Sequence, residues 1–219
     1  MVDYSGYKDM TFEKKGRVLT WTFNKPDVLN AMTEEMHEET SRAVYDIGMD
    51  HDVDVVVITG AGRAFSAGGD IGGMRKMLDE PTLFETSILE AKKIVFGLLD
   101  CEKILIAKVN GDAVGLGATI ALFCDMIIAA DHAQMGLINR AVPAEQLDEA
   151  VDAFVDKLNR GAMKSIKWTK TAVNIGLKQL AHSMMDTCMA YEALSNGTKD
   201  HAEAVEAFEQ KRKPIFTGE

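Results

Sequence analysis

The segment Val53-Asp54-Val55-Val56-Val57-Ile58-Thr59 is a nearly unbroken β-branched run, followed at once by glycine-rich chain from Gly60 to Gly73. A strand reads this way when helices cover both of its faces, because neither side of the pleat then meets water. The same pattern recurs. Lys103–Val109 is a third apolar strand after Val18–Phe23 and Val53–Thr59, and Gly111–Gly117 is a second glycine-rich turn running into a short apolar helix that ends near Cys124. Strands that repeatedly lead through glycine turns into helices imply an α/β core.

The rest of the chain fits this frame. Thr33 is a predicted N-cap, with Glu34 and Glu35 in the first turn, and Met36, Thr40, Ala43, Val44 and Ile47 recur at helical spacing. Thr82–Leu99 reads as a helix, Met126–Ala130 as a strand, and 136–142 as extended chain. From Pro143 onward the pattern is helical, with predicted stretches at Met163–Leu177, Gln179–Ser195 and Thr198–Lys211. The expected division is therefore an α/β core over residues 1–142 and a helical region over 143–219.

Composition removes several functional classes. The net charge of −10 argues against a nucleic-acid surface, and the only dense basic cluster is Lys211-Arg212-Lys213. Three scattered cysteines suit a reducing compartment rather than a disulfide framework. The five histidines show no metal-ligand spacing, so no metal is expected. No apolar run approaches the roughly 20 residues of a membrane helix, and Met1–Met10 lacks a signal-peptide layout. The expected location is cytoplasmic.

The chemistry is concentrated in the two glycine-rich loops, Ala64-Phe65-Ser66-Ala67-Gly68-Gly69-Asp70-Ile71 and Asn110-Gly111-Asp112-Ala113-Val114-Gly115-Leu116-Gly117. Glycine lets backbone approach a ligand closely, and free N–H groups at a helix start can stabilise negative charge. Two such donors meeting at one carbonyl oxygen make an oxyanion hole. The plainer alternative is a pair of tight strand-to-helix turns. A dinucleotide fingerprint fails, since Ile120 stands where its third glycine should be. Ala64–Gly68 also resembles a nucleophile elbow around Ser66, but the serine lies several residues beyond the strand, leaving serine-hydrolase chemistry as a runner-up. Asp70 opens a helix, where an acidic side chain is more often a cap than a catalytic base.

Taken in order, Asn24-Lys25-Pro26, Leu29-Asn30-Ala31, Val56–Gly60, Phe65–Ile71, Val109-Asn110-Gly111, Cys124-Asp125, Met135–Asn139 and Lys211–Pro214 resemble the crotonase (enoyl-CoA hydratase/isomerase) family over nearly the whole chain. The resemblance implies a spiral of βαβ turns followed by a helical C-terminal trimerisation region, giving homotrimers or dimers of trimers. It places the oxyanion-hole donors at the backbone of Gly69 and Leu116. Coenzyme A, part of the substrate rather than a bound cofactor, would lie along Val28, Leu29, Ala67, Asp70 and Ile71. Lys211 would face its phosphate or adenine, from its own or a neighbouring subunit; complementing a helix C-terminus is the alternative role.

Two departures qualify what the resemblance implies. Hydratases of the family use two glutamates to hold a water, and Thr119 occupies the position of the first. A threonine hydroxyl can orient water but is a poor base. Between Ala133 and Gln134 the family carries more chain, on the order of 50 residues, enough for more than one βα unit. Either the protein has an internal deletion, or it carries residues that this sequence omits. Omission is favoured, because a deletion would strip the core and expose apolar faces. An intact mass equal to 24.0 kDa would exclude it. The expected activity is acyl-CoA processing of the hydratase/isomerase type, with a catalytically silent CoA-binding oligomer and a crotonase-fold acyl-CoA hydrolase as alternatives.

Overall fold

The computed structural model describes every residue except Met1, Pro81 and Gly136, so the expectation of extended chain at Gly136 lies outside the described residues. The chain opens with β1 (Met10–Lys15) and β2 (Val18–Phe23), paired antiparallel across Gly16 and Arg17. The sequence reading missed β1 because Glu13, Lys14 and Lys15 interrupt its apolar pattern. As the edge strand of the sheet it tolerates them: Glu13 and Lys15 are exposed on one face, and Lys14, on the face of Met10 and Phe12, reaches Asp50 at 2.7 Å. A 3-10 turn at Pro26–Val28 then leads into α1 (Glu34–Met49), capped by the Thr33 hydroxyl, which accepts from the Met36 N–H at 3.3 Å. The five residues that set its helical period are all buried.

β3 (Val55–Gly60) is followed by β4 (Ala64–Ser66), α2 (Ile71–Asp79) and α3 (Thr82–Asp100). The glycine-rich stretch is thus not all loop: it contains a short strand and the first turn of a helix, which its glycines conceal. Next come β5 (Ile104–Val109), β6 (Asp112–Ala113), α4 (Leu116–Leu122), β7 (Met126–Ala130) and β8 (Arg140–Val142). After Val142 the chain holds a 3-10 turn and then α5 (Leu147–Asn159), α6 (Met163–Asn196) and α7 (Lys199–Glu209).

The main sheet has the order β1-β2-β3-β5-β7-β8, parallel from β2 onward, and β4 pairs with β6 in a separate two-stranded parallel sheet. Side-chain alternation divides the interior into two cores. Val56, Ile58, Leu105 and Ala107 face α1, α3 and α4, while Val55, Val57, Ile104 and Ile106 face α5. Both faces of the central strands are covered, which is what the β-branched runs require.

The two predicted helices at Met163–Leu177 and Gln179–Ser195 are one continuous helix. Gly176 costs only about 1 kcal/mol against alanine inside a helix, and contacts with α3 bracket it. Asn174 Nδ2 donates to the Leu99 carbonyl at 3.0 Å, Lys178 pairs with Asp100 at 2.5 Å, and His182 stacks on Phe96 with ring centroids 4.2 Å apart.

Between β7 and β8 the backbone passes straight through Ala133-Gln134. Parallel neighbours usually need a crossover of about a dozen residues or more, yet among the described residues this connection contains no helix. Asn139 closes it: its side-chain oxygen accepts the Ile127 N–H at 2.7 Å, and its own N–H donates to the Ile127 carbonyl at 3.2 Å. Ala133, Met135 and Ile138 pack onto the first core.

Candidate active site

Three segments are stitched together at the head of the first core. The Ala67 N–H donates to the Leu29 carbonyl at 2.9 Å, and the Met32 N–H donates to the Gly68 carbonyl at 2.7 Å, which lays residues 28–32 along the first glycine loop. The second glycine loop joins through β4–β6 pairing and through the Val114 N–H, which donates to the Ser66 carbonyl at 2.9 Å. Val28, Leu29, Ala67, Gly69, Asp70, Ile71, Leu116 and Thr119 therefore belong to one neighbourhood built from residues far apart in sequence.

Gly68 and Gly115, each immediately before a candidate donor, have φ of 85° and 52°. That left-handed backbone suits glycine. A β-carbon on Gly115 would lie 3.8 Å from the Gly69 nitrogen, so the two loops meet at the candidate donors themselves. Among the described residues, neither the Gly69 nor the Leu116 N–H has a hydrogen-bond acceptor. Leu116 is the first residue of α4, where an N–H has no intrahelical partner.

The side chains around these amides have other duties. Asp70 caps α2 by accepting the Gly73 N–H at 2.7 Å. The Thr119 hydroxyl donates back to the Gly115 carbonyl at 3.2 Å. Lys25 is held by Asp9 at 2.8 Å. Val28 is exposed beside Leu29, whose φ of 56° turns the chain. Ser66 is fully buried, its Oγ donating to the Asn30 carbonyl at 2.8 Å and accepting from the Gly68 N–H at 3.3 Å. It lies in β4 rather than on an elbow, and no substrate reaches it; the serine-hydrolase alternative is withdrawn. The Cys124 thiol donates to the Ile120 carbonyl at 3.4 Å, and burial pushes its pKa up, so it is no nucleophile either.

Sequence reasoning gave two asparagines no role. Asn30 is completely buried; its side chain accepts the Lys25 N–H and donates to the carbonyls of Ala61 and Ala64, each at 2.9 Å. Asn110 accepts from the Gly60 N–H and the Thr59 hydroxyl and donates to the Gly62 and Ala64 carbonyls. These two amides hold the loops in register. The signal available for Asn30 was its residue type, since asparagine tolerates the left-handed conformation it adopts with φ of 54°.

Lys211 stands apart from the loops. It is the left-handed residue after α7, with φ of 53°; its N–H donates to the Phe208 carbonyl and the Arg212 N–H to the Ala207 carbonyl, a Schellman closure. The end of α7 reaches α2 of its own chain through an Arg75–Glu209 ion pair, while Arg212 in the basic tail turns back to Glu203. A groove of about 540 Å³ between β7, β8 and α5, lined by Ile128, Arg140 and Phe154, opens on the other core and is no part of this site. Among the described residues, no group of His, Cys, Asp or Glu side chains could hold a metal ion, and no helix is long and apolar enough to cross a membrane.

A spiral of parallel strands with two glycine turns meeting at free amides defines a crotonase-type α/β protein. The family model for enoyl-CoA hydratase/isomerase matches residues 13–135, and the chain belongs to that family. It is 28% identical to a short-chain-enoyl-CoA hydratase of Clostridium acetobutylicum, over 94% of this chain and 96% of that protein. It is 26% identical to a 1,2-epoxyphenylacetyl-CoA isomerase of Escherichia coli, over 92% and 95%. An enoyl-CoA hydratase/isomerase from Mycobacterium paratuberculosis superposes with a TM-score of 0.86 at 25% identity, covering 93% of this chain and 99% of that one. The alignment with the Clostridium protein runs to 265 positions against the 219 residues here, so that relative carries chain with no counterpart in this sequence.

Proposed function

We propose that the chain binds an acyl-CoA thioester with its carbonyl oxygen between the N–H groups of Gly69 and Leu116, and that this pair stabilises an enolate-like state during hydration of an enoyl double bond. One observation carries the reading: two acceptor-free amides, each after a positive-φ glycine, on loops in direct contact. Such preorganised donors favour the transition state because they need not reorient as charge develops on oxygen. Val28, Leu29, Ala67, Asp70 and Ile71 would line the CoA through backbone and apolar surface. Lys211 would meet its phosphate.

Proton transfer is where this chain differs from the hydratases it resembles. Thr119 can orient a water but not deprotonate it, and by the resemblance the second carboxylate of the family would fall in chain that its members carry between the positions of Ala133 and Gln134. That gives a second reading, a CoA-binding oligomer without turnover. The test is crotonyl-CoA hydration followed by loss of the enoyl absorbance, with thioester binding measured in parallel. Turnover supports the enzyme. Saturable binding with no turnover supports the silent binder, and absence of both removes the oxyanion proposal.

A further inference from the structure

α2 carries the first glycine loop back into the fold, yet none of its side chains is buried. Its apolar side, Ile71, Met74, Met77 and Leu78, is only half-buried, so hydrophobic burial holds this nine-residue helix weakly and polar attachments add to its positioning. Asp70 provides one at the N-terminus. The other is long-range: the Arg75 guanidinium donates to both carboxylate oxygens of Glu209, at 2.6 and 3.4 Å, across 134 positions of sequence. Glu209 ends α7, which is anchored by buried Val205 and Ala207. The arginine beside it holds the Glu209 carboxyl below the usual range, so the pair stays ionised at neutral pH.

Next to Arg75 is Met74, whose terminal methyl lies 2.4 Å from where a β-carbon on Gly69 would stand. It fills the space a side chain at that position would take, so a displacement of α2 reaches the Gly69 backbone through direct contact. We infer that Arg75 and Glu209 are positioning residues, through which the C-terminal helix holds α2, and by way of Met74 the Gly69 amide, in the candidate oxyanion site. This inference rests on the proposed reading of Gly69, and it makes the attachment internal to one chain.

Two readouts on Glu209→Gln, compared with the charge swap Arg75→Glu/Glu209→Arg, test it. Hydrogen exchange over residues 71–79 in ligand-free protein is expected to quicken about two- to fivefold in Glu209→Gln, the scale of losing one half-exposed ion pair, and to return in the swap. The infrared carbonyl stretch of bound crotonyl-CoA is expected to be lowered in wild type, less lowered in Glu209→Gln, and restored in the swap. Unchanged exchange, an unchanged carbonyl frequency, or a swap that restores neither would overturn the positioning role. A wild-type complex with no lowered carbonyl stretch would instead remove the oxyanion reading and the positioning role with it, while the exchange data still decide whether α7 holds α2.

Discussion

Gly68 precedes one candidate donor with a φ of 85°, and a β-carbon there would stand 2.9 Å from the Val114 carbonyl oxygen. Gly68→Ala therefore combines backbone strain with a clash against the other loop. It is expected to cost about 1–3 kcal/mol in urea denaturation and to weaken thioester binding; a variant with wild-type stability and affinity would mean the loops are not locked as described. Asp70 gives a cleaner separation of roles. Asparagine caps a helix about as well as aspartate, so Asp70→Asn is expected to keep turnover within about twofold, whereas loss of a general base costs about a hundredfold or more. At this scale the sequence was readable where residue type alone carries the role, as with the glycines and the Thr33 cap. It was opaque for Asn30 and Asn110, because the partners of these amides are mostly backbone groups that any residue could supply.

Elements were legible in proportion to how strongly their own side chains specify them. β3 and β5 announce themselves by composition, and α1 by its period. β1 and α2 do not: one is a charged edge, the other has Gly72 and Gly73 in its first turn and buries no side chain completely. α6 reads as two helices locally and becomes one through tertiary anchors. One such anchor makes a pH prediction. Asp54, at the foot of β3, is bonded by Arg17 just before β2 and by Lys167 on α6, and these partners hold its carboxyl down at about 2. Because the folded pKa lies below the unfolded value of about 3.9, the pairing stabilises fully above pH ~4 and is lost as pH falls towards 2. Asp54→Asn is expected to be less stable than wild type at neutral pH and to converge with it near pH 2, measured as urea midpoints across that range. Parallel curves with a constant gap would show that the carboxylate charge is not what ties α6 to the sheet.

On the scale of the molecule, an unexplained apolar surface runs along α6. Val173, Leu177, Leu180, Met184, Tyr191 and Leu194 are each about half exposed or more, and their spacing of four and three residues, with Thr187 completing the series, puts them on one seam of the helix. Scattered exposed apolar residues are ordinary, whereas a continuous stripe marks an interface. Its opposite face is committed to α3 through Asn174, Lys178 and His182, so the helix cannot rotate to bury the stripe within its own chain. We therefore expect the stripe to be covered by other copies in a trimer or a dimer of trimers, an assembly that the sequence reading suggested only through resemblance. Analytical ultracentrifugation at micromolar concentration is expected to give three or six times the 24.0 kDa of one chain. Leu180→Glu places a charge in the middle of the seam and is expected to yield the 24.0 kDa species with the α/β core intact by circular dichroism. A wild-type protein sedimenting as a single chain would leave the stripe unexplained and remove the oligomer, while a Leu180→Glu trimer would move the interface elsewhere.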